Sequence, residues 1–165
     1  MAAKQLIPAG DFPAPGLIRR LASAFYDFLL SLAMIMVLTL AYQQGILRQI
    51  YGAQTLQGMS ESGALDQDPI LSLIMLLSLL AFFGLFWTLS GQTLGMQVWR
   101  LRVQQPGGLA ITWKQAVIRF LVAIPAWLCG GLGVLWALWD REGRTWQDIA
   151  SGTRVVLLPK PVKKP

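Results

Sequence analysis

The amino-acid sequence predicts an all-α integral membrane protein, because of its composition and its apolar stretches. The chain has 165 residues, of which 55% are hydrophobic and 13% are charged, whereas a soluble domain usually has about a quarter charged residues. Three apolar stretches reach or approach the roughly 18 residues expected of a membrane span. We therefore expect two full transmembrane helices, a third apolar segment broken by glycine and proline, and a small cytoplasmic β-hairpin.

The charge of the chain is basic, with 14 lysines and arginines against 8 acids and no histidine. Basic residues accumulate on the cytoplasmic side of membrane proteins and meet anionic lipid headgroups there. The lipid bilayer is therefore the expected partner, and nucleic acid is not. The single cysteine, Cys129, excludes a disulfide within the chain. The absence of histidine removes the commonest general base and metal ligand.

Residues 18–42 form the first predicted span, which begins with a charged stretch. The preceding residues 1–17 are rich in proline and glycine, so we expect a flexible or extended cytoplasmic arm. Arg20 and Asp27 are seven residues apart, close to two helical turns, so they share one helix face about 10 Å apart along the axis. This distance is too long for an ion pair, and an ionised aspartate inside a span is costly. We therefore expect another group to approach Asp27.

Residues 70–89 form the second predicted span, which contains no ionisable group. Asp68 and Pro69 precede it, and proline is tolerated in the first turn of a helix. The connection between the two spans, residues 43–68, has one basic residue and three acids. A loop with so little positive charge is expected outside the cell.

A basic connection follows the second span and is expected to form the small β-hairpin. It opens with Gly91, Thr93 and Gly95, which predict a turn instead of a membrane dimerisation motif because polar residues interrupt the glycines. Residues 98–103 then alternate like a half-exposed strand. A Pro-Gly-Gly turn leads to a return strand at residues 109–112.

Residues 120–139 form the third apolar segment, which is interrupted by Pro125 and by three glycines. A simple span here would place the basic C-terminal region outside, against the positive-inside rule. The alternative is a re-entrant hairpin, with a helix over residues 113–129, a glycine turn and a short helix to Trp139. Its broken backbone must be satisfied by protein or water, so the hairpin has to pack against the other spans. We favour the hairpin, which places both termini in the cytoplasm.

The C-terminal region is polar and contains three short patterns. Thr145 and Asp148 have the spacing of a capping box, so Asp148 is expected to accept from amides at the start of a short helix. Residues 153–158 have strand character and are a candidate addition to the hairpin. The tail, residues 159–165, is basic and proline-rich, and we expect it to be disordered.

These motifs occur in an order that resembles the RDD family of prokaryotic multi-pass membrane proteins. The resemblance extends from residue 15 to residue 158, and it identifies residues 18–158 as one transmembrane domain. The motifs that carry it are short and spread along the chain: Arg20 to Asp27, Gly91-Gln92-Thr93-Leu94-Gly95, Leu101-Arg102-Val103, Asp140, Thr145-Trp146-Gln147-Asp148 and Gly152-Thr153.

The resemblance draws attention to a set of charged residues. The arginine and two aspartates after which the family is named resemble Arg20, Asp27 and Asp148, and the family also tends to have charges at the positions of Asp140 and Arg119. Many members have histidine where a glutamine precedes Asp148 here, which weakens any mechanism with a histidine proton carrier. The resemblance implies a compact helical domain in the bacterial inner membrane. Activity in the family is mostly unassigned, although some members have been linked to ion exchange.

Two functions remain open for the charged cluster, defined as Arg20, Asp27, Arg119, Asp140 and Asp148. In the first, the cluster is a structural network of an accessory membrane domain, in which Arg20 or Arg119 neutralises Asp27 and Asp148 caps a helix. In the second, Asp27 is the carrier of a small cation/proton exchanger that acts as an oligomer. We favour the first, because structural ion networks are commoner and the protein is small for a transporter.

An accessory domain of this kind would bind anionic lipid, a second copy of the chain or another membrane protein through its basic surface and tail. An enzyme is not expected, because the sequence has no metal-ligand cluster, no nucleophile paired with a base and no phosphate-binding glycine loop. We therefore expect neither a cofactor nor a metal.

Overall fold

The computed structural model describes residues 4–65 and 68–160, which form two compact units. The first unit comprises the described residues up to 27 and from 82 onward, and the second comprises residues 28–81. The described residues are mostly helical, as predicted, and they contain one two-stranded sheet. The elements in chain order are α1 (Leu17–Leu40), a π-helix (Ala41–Leu47), α2 (Arg48–Tyr51), α3 (Ala53–Glu61), α4 (Pro69–Leu89), α5 (Leu94–Val98), β1 (Leu101–Gln104), α6 (Trp113–Leu128), α7 (Leu132–Leu135), a 3₁₀-helix (Trp136–Leu138), α8 (Trp146–Ser151) and β2 (Arg154–Leu157).

Two helical segments, Leu17–Tyr51 and Pro69–Leu89, are long and apolar enough to cross a membrane. The second begins where the sequence predicts. Asp68 Oδ1 accepts a 2.8 Å hydrogen bond from the amide of Ile70, which satisfies one of the unpaired donors at the start of α4. α6 and the segment Leu132–Leu138 are bent relative to each other. Together they would count as a third span if they form one crossing of the membrane.

The first helix continues well past the end of the predicted span at residue 42. The π-helix and α2 extend it to Tyr51, and α3 follows. The predicted loop over residues 43–68 is therefore largely helical, and that prediction is wrong. Glutamine and leucine are good helix formers, so the polar residues after Tyr42 do not end the helix. The break comes at Gly52, whose φ of 79° is a conformation that glycine adopts without strain.

The second unit has a small core of its own. The Tyr42 hydroxyl donates a 2.9 Å hydrogen bond to Asp68 Oδ2, which ties the end of the first span to the start of α4. The buried side chains of this core come from the π-helix, α3, the loop after it and α4: Tyr42, Leu47, Leu56, Leu65 and Leu71.

The sheet of the first unit pairs two distant segments instead of forming the predicted local hairpin. β1 runs antiparallel to β2, so the strand character at residues 153–158 is confirmed. The return strand predicted at residues 109–112 does not form, and that prediction is wrong. Residues 108–110 bond to the N-terminal arm instead, and Thr112 is the N-cap of α6.

The N-terminal arm packs along the sheet from residue 4 onward. The amide of Leu6 donates to the carbonyl of Gly108 at 3.1 Å, and the amide of Leu157 donates to the carbonyl of Pro13 at 2.8 Å. The side chain of Leu6 is buried. These contacts hold residues 4–16 in an extended form. Most of the predicted disordered tail lies outside the described residues, which end at 160.

The third apolar segment is a pair of helices with a sharp bend between them. α6 meets the segment formed by α7 and the 3₁₀-helix at 108°. Pro125 lies inside α6 without ending it, and the break falls at the glycines, where Gly131 has a φ of 79°. A Cβ at Gly133 would overlap Ala126 of α6 and would lie 2.9 Å from a ring carbon of Trp146, so glycine lets α7 pack against both α6 and α8. The predicted break is observed, and re-entry into a membrane stays a prediction.

Candidate functional site

The carboxylate of Asp148 binds two arginines that come from different helices. Arg119 on α6 donates from Nη1 to Asp148 Oδ1 at 2.6 Å, and Arg20 on α1 donates from Nη1 to Oδ2 at 3.3 Å. Asp148 on α8 is completely buried, and both arginines are buried with it. We name Arg20, Arg119 and Asp148 the buried triad. It joins three helices, although Arg20 and Asp148 are 128 positions apart in the chain.

Asp148 also starts the helix on which it lies. Its Oδ2 accepts from the amide of Thr145 at 3.0 Å, and the Thr145 hydroxyl accepts from the amide of Asp148 at 3.4 Å. This reciprocal pair is the capping box that the spacing predicts. Burial alone raises the pKa of Asp148, but Arg119, Arg20 and the Thr145 amide outweigh burial and hold that pKa below its ordinary value. Asp148 is therefore ionised, and the triad has one surplus positive charge.

Neutral groups contact both arginines of the triad, although Arg119 Nε has no hydrogen-bond partner among the described residues. Arg20 Nη2 donates to the carbonyl oxygen of Gly143 at 2.7 Å. Arg119 donates to the Thr153 hydroxyl, and its guanidinium carbon lies 5.3 Å from the centre of the Trp87 ring. The carbonyl, the hydroxyl and the aromatic face offset part of the cost of burying the second arginine.

Asp27 lies in a separate polar site built by the glycine turn. The Thr93 hydroxyl donates to Asp27 Oδ2 at 2.5 Å, and the amide of Gly95 donates to Oδ1 at 2.9 Å. Asp27 is only 6% exposed. Both oxygens of this carboxylate therefore have a neutral donor, and the expectation that another group approaches Asp27 is confirmed.

The ion network predicted around Asp27 forms around Asp148 instead. Among residues 4–65 and 68–160, no basic side chain forms an ion pair with Asp27. The expectation that Arg20 or Arg119 neutralises it is therefore wrong. The physical reason is that the Asp148 carboxylate lies between the two guanidinium groups and binds both.

The glycines of the turn allow the backbone to come close to its neighbours. A Cβ at Gly95 would lie 2.5 Å from the carbonyl oxygen of Ser23 and 2.8 Å from Asp27 Oδ1, so any larger residue would push the turn away from the carboxylate. At Gly91, where φ is 72°, a Cβ would lie 2.6 Å from a carbonyl oxygen of β1. Thr93 is the N-cap of α5. The predicted turn is thus observed at Gly91, and its second half opens a short helix.

Asp140 forms a third site with Arg144. Arg144 donates from Nε to Asp140 Oδ2 and from Nη2 to Oδ1, both at 3.1 Å. The Arg144 side chain, followed by the amides of Arg144 and Glu142, lowers the pKa of Asp140 to about 2. The turn fixed in this way carries Gly143, whose carbonyl binds Arg20. The predicted charged cluster is therefore three separate groups, and the Asp140 group supports the triad through this turn.

Three residues of these sites were missed by the sequence analysis. Arg144 lies four positions after Asp140 within a short turn, and only their opposite charges and their closeness in the sequence indicate a pair. Thr153 and Trp87 contact Arg119 from distant parts of the chain. No local pattern predicts such contacts.

Of these three groups, only the Asp27 site has a carboxylate that no arginine binds, so its oxygens are the best candidate ligands for a cation. The oxygens of Asp148 are bound by arginines, and those of Asp140 are bound by Arg144. The Asp27 carboxylate and the Thr93 hydroxyl are donors of the type that hard cations prefer. In the part of the chain that the structure describes, no group of three or more histidine, cysteine, aspartate or glutamate side chains could hold a metal ion.

The model of one protein family, the RDD family, matches residues 14–152, which is most of the chain. The matched range contains Asp27 and all three residues of the buried triad. This match confirms the resemblance seen in the sequence. No curated protein and no solved structure matches the chain.

Proposed function

The chain belongs to the RDD family, and on that basis we propose that it is an accessory domain of the bacterial inner membrane, fixed in one arrangement by the buried triad. One observation carries the proposal: fully buried Asp148 binds Arg20 and Arg119 at the same time. A buried carboxylate shared in this way favours a single packing of its three helices, because other arrangements leave a charge unpaired. Such a domain offers a fixed surface to a partner.

In this proposal both termini lie in the cytoplasm, and the third apolar segment re-enters the membrane. The excess of basic residues in the N-terminal arm, in the connection after α4 and near the C-terminus supports this orientation. The 108° bend supports a hairpin. Leu128 and Trp139 are 81% and 69% exposed, as expected of side chains that meet lipid. The partners are anionic headgroups and either a second copy or another membrane protein.

Asp148→Asn tests the structural part of this proposal. The amide would leave two buried guanidinium groups without a counter-charge, and breaking a buried pair costs about 3–5 kcal/mol. We expect a much lower Tm in detergent and less protein in the membrane. Glu142→Gln is the control, because it removes a 60% exposed carboxylate 3.6 Å from Arg144 and should change the Tm little. An unchanged Tm for Asp148→Asn would exclude the triad as the fixing element.

A second candidate function is the exchange of a proton for a cation at Asp27. One observation favours it: within the described residues, Asp27 is buried in a candidate span and has no ion-pair partner. An ionisable residue in such a position indicates a functional site by default. Release of a proton as a monovalent cation binds would leave the net charge of the site unchanged.

Proton and sodium flux in sealed vesicles that contain the purified protein tests this second function. Asp27→Asn keeps an acceptor for the Gly95 amide but cannot exchange a proton for a cation. For an exchanger, we expect coupled flux in the wild type and none in the variant, with a similar Tm. Equal flux in a folded Asp27→Asn protein would exclude Asp27 as the carrier. No flux in the wild type would leave the accessory domain as the function.

A further inference from the structure

One face of the sheet carries charges that the sites described above do not use. Directly opposite residues of an antiparallel pair point to the same face of a sheet. Arg102 lies opposite Val156, and Gln104 lies opposite Arg154. Because residues two apart on a strand also share a face, both arginines lie on one side of the sheet.

Among the described residues, Arg102 is a buried arginine that has no counter-ion. It is 1% exposed, and its Nε and Nη2 both donate to Gln104 Oε1, at 3.0 and 2.6 Å. Within residues 4–65 and 68–160 it forms no ion pair, and its Nη1 has no hydrogen-bond partner. A buried charge is costly unless an opposite charge compensates it. An anion close to Arg102 would therefore stabilise the folded protein.

The N-terminal arm crosses this face and covers Arg102. The centre of the Phe12 ring lies 5.5 Å from the guanidinium carbon. Beside it, Gln104 Nε2 donates to the carbonyl oxygen of Gly10 at 3.0 Å. The arm thus places a neutral aromatic ring and a neutral carbonyl over the charged face and supplies no carboxylate to Arg102.

A cavity of about 220 Å³ lies on this side of the sheet, and Arg102 itself does not line it. Two of its lining residues are neighbours of Arg102, since Phe12 stacks on the guanidinium and Val156 lies opposite it in the sheet. Arg144 and Arg154 also line the cavity. The volume is several times the roughly 30 Å³ that a water molecule occupies, so the cavity has room for a phosphate group.

Arg154 is the lining arginine that is most available to a ligand. Its ion pair with Asp11 is 3.7 Å long, and the two side chains are 35% and 56% exposed, so this pair is weak. Arg144 is bound by Asp140 through two hydrogen bonds of 3.1 Å. Glu142 lines the cavity too, but its side chain is 60% exposed and can turn into solvent.

We propose that this cavity binds a phosphate group, with Arg154 as the direct ligand and Arg102 as a buried charge behind the lining residues Phe12 and Val156. The inference rests on the proposed function, in which a basic surface meets anionic lipid, and it identifies the residues that would bind the headgroup. A guanidinium presents parallel N–H donors that match the oxygens of a phosphate. The phosphate belongs either to a lipid headgroup or to a soluble phosphate compound, and the two sources can be separated by experiment.

The test is to measure whether two probes raise the Tm of the 165-residue chain. Inorganic phosphate is added to the protein in an uncharged detergent. Separately, the protein is placed in lipid discs of a phosphate-free galactolipid, with or without phosphatidylglycerol. We expect at least one probe to raise the Tm, and the apparent affinity for that probe to fall at least about tenfold in Arg154→Gln and in Arg102→Gln.

Two comparisons separate binding from folding. Arg141→Gln removes an exposed charge outside the cavity and should leave the affinity unchanged. Arg102→Gln places a nitrogen donor where the arginine Nε was, so the bond to Gln104 is kept while the charge is removed. Without either probe, this variant should melt at or above the wild-type Tm. A lower Tm would overturn the role of Arg102 as an uncompensated charge.

The outcomes identify the source of the phosphate or overturn the inference. Stabilisation by inorganic phosphate supports a soluble phosphate as sufficient, and stabilisation by phosphatidylglycerol alone supports a lipid headgroup. No stabilisation by either probe, or equal affinity in the wild type, Arg102→Gln and Arg154→Gln, overturns the proposal. These measurements are independent of Asp148→Asn. A stable Asp148→Asn protein would remove the proposed function without deciding whether phosphate binds.

Discussion

Asp27 and Asp148 are both buried, but their partners differ in charge. Asp148 accepts from two arginines, whereas Asp27 accepts from a hydroxyl and a backbone amide. The first carboxylate is therefore held in its ionised form by opposite charge, and the second has only neutral donors. This difference explains why the same change, aspartate to asparagine, is expected to disrupt the fold at position 148 and to leave the fold largely intact at position 27.

Asp140 provides a contact that weakens in acid. Its pKa is about 2 in the folded protein against an ordinary 3.8, so its carboxylate stabilises the fold above pH 3.8, and that contribution is lost as the pH falls through 2. We expect the Tm in detergent to fall between about pH 4 and pH 2. Asp140→Asn should lower the Tm at neutral pH and reduce this acid-dependent fall. Glu142→Gln is the control, and the same acid profile in both variants would contradict the assignment to Asp140.

Capping residues and glycines determine where several of the helices begin and end. Thr112 lies where a return strand is predicted, yet its side chain and that of Gln115 form the capping box that starts α6. Gly52 ends the first helical segment, although polar residues begin at Gln43, nine positions earlier. Caps and glycines therefore predict element boundaries here better than the alternation of apolar and polar residues does.

Thr112→Ala tests the cap of α6. The change removes the hydroxyl that accepts a 3.3 Å hydrogen bond from the backbone N–H of Gln115. Loss of such a cap costs about 1 kcal/mol. We expect a lower Tm for the alanine variant. Thr112→Ser keeps the hydroxyl and should retain most of the wild-type stability. A serine variant as unstable as the alanine variant would show that packing of the threonine methyl, and not the cap, is responsible.

At the scale of the whole chain, the first unit is built from segments that are far apart in the sequence. It combines the described residues up to 27 with those from 82 onward. The buried triad and the pairing of β1 with β2 both lie within this unit and connect distant parts of the chain. The fold of the unit therefore depends on contacts between residues that are far apart in the sequence.

Cysteine labelling from each side of the membrane tests the proposed topology. In a Cys129→Ser background, cysteines replace exposed Lys114, Arg141 and Gln57 one at a time. A re-entrant hairpin predicts that positions 114 and 141 react with an impermeant thiol reagent from the cytoplasmic side and position 57 from the other side. A simple third span would place position 141 on the same side as position 57.

Features that depend on neighbouring residues could be predicted from the sequence. The apolar spans, the helix start at Asp68, the capping box of Thr145 with Asp148 and the glycine break after α6 all follow from local periodicity, capping chemistry or backbone freedom. Each of these is determined by interactions over a few residues, and the structure agrees with the predictions.

Features that depend on distant partners were decided only by the tertiary structure. Arg20 binds Asp148 instead of Asp27, β1 pairs with β2 instead of a nearby strand, and the arm covers Arg102. The sequence contains more than one acid that could pair with Arg20 and more than one segment that could pair with β1. The choice among them depends on which segments the packing of the helices and the arm brings together, and no local pattern encodes that choice.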